Sequence, residues 1–232
     1  MIRLYSPQTR PFSEVSYFGV AISGNDEQRH IGLLCNASPG ANPKFVHLAF
    51  HFRLRCDDAN GDAGCWIDCS GAFDEDERIN LSSWAVKVYE KNGRKIPYGF
   101  PYSSDMSQFD ESGKFSDVSR GAGLTCATFA LSILDLAGYT AVDSASWEVR
   151  GDDVVWQLKI ISELAKDREN HPELYVDYPE QDQFAHVGIA VRMRPEEAAA
   201  AIGGYEGVPM AFSKARVLGE DVIRQLLNGA VP

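Results

Sequence analysis

Gly121-Ala-Gly-Leu-Thr-Cys-Ala-Thr-Phe-Ala-Leu131 is the stretch on which the reading of this chain turns. Over residues 125–136 the apolar side chains recur at helical spacing. Phe129, Ile133 and Leu136 form the stripe, Leu131 and Leu134 widen it, and Gly138 offers a C-terminal stop. Cys126 therefore falls in the first helical turn. A thiol there is drawn toward its thiolate, because unpaired backbone N–H groups and aligned peptide dipoles favour negative charge. The N–H of Cys126 would also stand near the oxygen of a tetrahedral intermediate, supplying half of an oxyanion hole, with Gly121 and Gly123 permitting the tight approach. Free cysteines also serve as small apolar core residues, so a nucleophile needs a base beside it.

Histidines stand on both sides of the cysteine. Residues 15–23 and 29–34 read as strands; the second opens on His30 and is followed by a turn-rich hairpin connection over residues 36–43. Residues 44–55 read as one further strand, with His47 and His51 on a single face. Neighbouring antiparallel strands would bring His30 and His47 together above the sheet, His30 as base and His47 fixing its ring, with His51 competing for the third place. Downstream, residues 185–192 read as a strand headed by His186, a rival base. Residues 80–90, 152–166, 195–202 and 219–227 read as helices, and residues 65–69 as a short strand. Residues 96–114 form a long loop rich in Pro, Gly, Tyr and Ser, of which residues 96–104 could line a substrate.

A Cys-led helix combined with a His-Ile-Gly-apolar strand (His30 onward) or a His-Val-Gly-apolar strand (His186 onward) resembles the NlpC-type, papain-like thiol hydrolase superfamily. The order His30, His47, Cys126 is similar to its circularly permuted branch, which includes lecithin:retinol acyltransferase-like enzymes. The resemblance covers only these segments. It implies an α+β fold with an antiparallel sheet packed against the Cys helix. It also implies a cysteine peptidase or amidase acting on an amide, isopeptide or ester bond through a thioester, with catalytic residues Cys126, His30 and His47 and no cofactor. A catalytically silent papain-like binding module, and an ordinary-order hydrolase using His186, stay open.

Composition narrows the setting. With 232 residues and 44% hydrophobic content, residues 1–232 suit one domain, with a possible elaboration after about residue 140. The charge of −11 and the lack of a basic stripe argue against nucleic-acid and membrane partners, leaving a peptide, amide or acyl substrate. No export signal or spanning stretch is read, so a cytoplasmic setting with five free cysteines is expected. His51, Cys56, Cys65 and Cys69 could be zinc ligands, but their spacing does not match a zinc knuckle. The acidic turn at residues 57–62 lacks the ligand alternation of a calcium loop.

Overall fold

The computed structural model describes residues 2–102, 108–116 and 121–228. It is an α+β protein whose six strands form one antiparallel sheet: β1 (Leu4–Tyr5), β2 (Phe18–Gly24), β3 (Arg29–Cys35), β4 (Lys44–Leu48), β5 (Leu54–Asp58) and β6 (Cys65–Asp68). Their spatial order is β1-β6-β2-β3-β4-β5, so β2 and β3 lie at the centre. Both faces of that centre are covered. Phe18, Val20 and Ile22 of β2 join Ile31, Leu33 and Cys35 of β3 in the main core. Ala21, Leu34, Phe45 and Trp66 point the other way, into a smaller core closed by Phe12 and Val15.

The helices are α1 (Glu75–Asn92), α2 (Cys126–Leu136), α3 (Asp153–Asn170), α4 (Pro195–Gly203) and α5 (Phe212–Asn228). Helix α2 starts at a capping box in which the Thr125 and Thr128 side chains each serve the other's backbone N–H. Every residue from Cys126 to Leu134 is buried, which makes α2 a central helix with no solvent face. It ends where Gly138 N–H reaches the Asp135 carbonyl and Tyr139 N–H the Leu134 carbonyl, with Gly138 at φ 92°. In α4 the run Ala198 to Ala201 is wholly buried, small side chains that let the helix lie close to the sheet. The main core spans Ile2 to Val222, so segments after residue 140 contribute to it.

Two expected strands and some helix boundaries need correction. Residues 44–55 are not one strand: the chain reverses between β4 and β5, with Ala49 N–H bonded to the Arg53 carbonyl and Phe52 at φ 53°. Aromatic anchoring fixes this turn, His51 stacking on Tyr175 at 4.3 Å and Phe50 meeting Tyr98 at 5.5 Å. His51 therefore does not share a strand face with His47. Residues 185–192 are not a strand either; a 3-10 segment, Glu180–His186, is followed by turns. Helix α1 also begins earlier than expected, at a capping box between Asp74 and Glu77, and α5 begins at Phe212 ahead of the expected residue 219.

Candidate functional site

The loop leading into Cys126 is held backbone against backbone. Leu124 N–H donates to the Pro97 carbonyl at 3.0 Å, and Gly99 N–H reaches the Leu124 carbonyl at 3.4 Å. Gln183 braces it from the far side, donating from Nε2 to the Gly121 carbonyl at 2.9 Å and accepting from Phe100 N–H at 3.1 Å. A Cβ on Gly121 would lie 2.5 Å from His186 Nε2. His186 thus sits against the loop, not among the residues around the thiol.

Cys126 lies in a pocket whose walls include His30, Phe50, Tyr98, Trp156 and Arg192. Burial pushes its thiol pKa up; the Ile31 backbone N–H, the Arg192 guanidinium and the N–H groups of Ala127 and Cys126 all pull the other way. The helix-terminus effect read from the sequence is thus accompanied by a strand N–H and a cation. Arg192 was not singled out in the sequence. It approaches from beyond α3, stacked 3.7 Å over the Trp156 ring and bonded to Asp153 Oδ1 at 3.0 Å. The signal that could have found it is the density of charge in the Arg-Met-Arg-Pro-Glu-Glu run of residues 192–197, most of which is buried or half-buried.

The structure brings His30 and His47 together, with Nε2 and Nδ1 2.7 Å apart. It does not bring either into hydrogen-bond contact with Cys126. Alternation along β3 explains this. Ile31 faces the main core that contains Cys126, whereas the His30 ring meets Phe45 edge-on at 6.3 Å and His47 stacks on Phe45 at 4.2 Å, on the smaller-core face. His30 borders the Cys126 pocket while its imidazole is engaged with His47. His51 Nδ1 instead accepts from Tyr98 N–H at 3.0 Å, beneath the loop that faces Gly123. Residues 103 and 104, part of the expected substrate-lining loop, lie outside the described residues. Among the described residues no group of three His, Cys, Asp or Glu side chains is placed to hold a metal, and no helix is long and apolar enough to cross a membrane.

The histidine pair makes the fold acid-sensitive. Burial lowers the His30 pKa to about 4; burial, then the neighbouring His30 and Arg55, lower that of His47 to about 3. Above the ordinary value near 6.5 both states are neutral and the pair's full stability is present. As pH falls from 6.5 toward 4 the unfolded chain gains protons that the folded one refuses, so stability drops and then levels off below the folded values. The fall attributable to His30 alone is on the order of 3 kcal/mol. Urea midpoints of wild type and His47→Gln between pH 7 and pH 3.5 check this: the variant should lose less stability over that window, and equal slopes would place the acid sensitivity elsewhere.

Comparison of the chain with protein-family models, with curated proteins and with solved structures finds no match.

Proposed function

We propose that this protein is a thiol-dependent acyl hydrolase whose nucleophile is Cys126. The observation that carries the reading is the convergence on one sulfur of a helix N-terminus, the Ile31 N–H and the Arg192 guanidinium, inside a pocket walled by aromatic side chains. These are groups that favour a thiolate over a thiol. In the reaction, Sγ bonds to a substrate carbonyl carbon, and the tetrahedral oxyanion forms beside the Cys126 N–H. Its collapse expels the leaving group and leaves a thioester, which water cleaves to the acid and the free thiol.

The resemblance supplies His30 as the base, with His47 behind it. The imidazole is turned to the other face of β3, so Arg192 is the cation whose charge favours the thiolate from within the same pocket. A thiolate formed this way has no imidazolium to protonate a departing amine. Of the amide, isopeptide and ester substrates that the resemblance implies, an ester needs that proton least.

A second reading, a binding module with an inert cysteine, is favoured by one specific observation: burial outweighs the groups that lower the Cys126 pKa. Alkylation separates the two. For the hydrolase, Cys126 should react with iodoacetamide with a lower pH midpoint than half-buried Cys56 and Cys65, whose thiols burial also raises. His30→Ala should leave that midpoint in place if Arg192 is the activating group, and raise it if the imidazole reaches the sulfur. A Cys126 that labels no faster than fully buried Cys35 and Cys69 would establish the binding module.

A further inference from the structure

The three arginines around Asp153 differ in their hydrogen-bond partners. Arg150 bonds to Asp153 and also to Glu197. Arg194 bonds to Asp153 and also to Asp152. Among the described residues Arg192 has its ion pair with Asp153, the carboxylate that all three share. Its Nε–H is buried and has no hydrogen-bond partner among the described residues, although unpaired buried donors are uncommon. The guanidinium carrying that donor is held rigidly, with Trp156 stacked on its face and Asp153 at one edge, and both Arg192 and Trp156 line the pocket that contains Cys126.

A guanidinium with an unfilled donor, lining the same pocket as a nucleophile, suits an acceptor that arrives with the substrate. We infer that Arg192 is a substrate-binding residue selecting acyl donors that carry a carboxylate next to the carbonyl that Cys126 attacks. The inference rests on the reading of Cys126 as nucleophile and adds the substrate class. A planar guanidinium suits a carboxylate better than an ammonium would, because its N–H groups lie in the plane of both acceptor oxygens. The pocket adjoins a groove along α3 with which it shares Gln28, Phe50, Trp156 and Ile160, and Arg53, Lys159 and Lys166 line the rest of that groove beside Glu163 and Asp167.

Two alkylating reagents of nearly equal size test the inference: neutral iodoacetamide and anionic iodoacetate. In both reactions the thiolate forms a C–S bond as the C–I bond breaks and iodide leaves. Rates are read by mass spectrometry at Cys126, Cys56 and Cys65 of the same chain. The iodoacetate-to-iodoacetamide rate ratio should be about tenfold higher at Cys126 than at Cys56 and Cys65, the size of one charge-assisted contact, despite the chain's net charge of −11. In Arg192→Gln the ratio at Cys126 should fall to that of the other two. If the variant does not fold, the comparison among cysteines in the wild-type chain carries the test alone. A ratio at Cys126 equal to that at the reference cysteines, with iodoacetamide still reacting there, overturns the carboxylate assignment only. A Cys126 inert to both reagents overturns the nucleophile reading together with it.

Discussion

Asp153→Asn is expected to lower stability by about 3–5 kcal/mol, the range seen when one partner of a buried ion pair is removed. Asp153 starts α3 and is only 3% exposed, and its carboxylate serves Arg150, Arg192 and Arg194. Asparagine keeps the shape and one acceptor oxygen but removes the charge. Arg150 retains Glu197 and Arg194 retains Asp152, so the uncompensated charge falls on Arg192, whose ion pair among the described residues is lost. The same cluster joins α3 to the start of α4, where Arg194 N–H donates to Glu197 and Arg150 reaches the Arg192 carbonyl. Urea unfolding at pH 7 measures the loss. A decrease below about 1 kcal/mol would mean that solvent or the remaining carboxylates take over the pairing, as at an exposed site. The Arg29–Glu196 pair tethers the other side of α4 to β3, and Glu196 also acts on the Arg192 charge, so the two pairs should couple in a double-mutant cycle.

How much of this could be read from the sequence differs element by element, for physical reasons. Helix α2 was legible because two local signals agree: apolar residues at helical spacing, and Gly138 where the chain must turn left-handed. The meeting of His30 with His47 was legible as well, because a hairpin joins their strands. The face they occupy was not. A strand with one wet face alternates in sequence and so declares its inward side, but β3 is buried on both sides and reads Ile-Gly-Leu-Leu-Cys without alternation. The register alone decides that Ile31 meets the main core and His30 the smaller one.

The reversal at residues 49–53 was hidden for a related reason. Ala-Phe-His-Phe has the composition of a strand, and what bends it is contact with Tyr98 and Tyr175, far away in the chain. The role of Arg192 could not be read beyond the charge density of residues 192–197, because it depends on Trp156 and Asp153, which come from the preceding helix. Local sequence shows only a basic residue ahead of a proline-started helix.

Gly123→Ala is expected to be the most damaging single-methyl substitution around the candidate site, costing about 3 kcal/mol or more and slowing Cys126 alkylation in whatever molecules still fold. Gly123 has φ 149°, a conformation that side chains rarely adopt. A Cβ there would stand 2.6 Å from the Gly99 backbone nitrogen and 2.7 Å from the Pro97 carbonyl oxygen. Both obstacles are backbone, so no rotamer change relieves them; the strand-like contact between residues 97–99 and 122–124 must part. That contact carries the Leu124 N–H bond to Pro97, two residues before the nucleophile, so separating it displaces the cap and first turn of α2. Gly138→Ala supplies the control. Its φ of 92° carries a similar backbone cost, but no atom lies within 4 Å of the added methyl, and it is at the far end of α2. Gly138→Ala should therefore lose about 1 kcal/mol with Cys126 reactivity intact. Equal losses in the two variants would assign the cost to backbone conformation alone, and unchanged alkylation in Gly123→Ala would show that the loop is not what places the thiol.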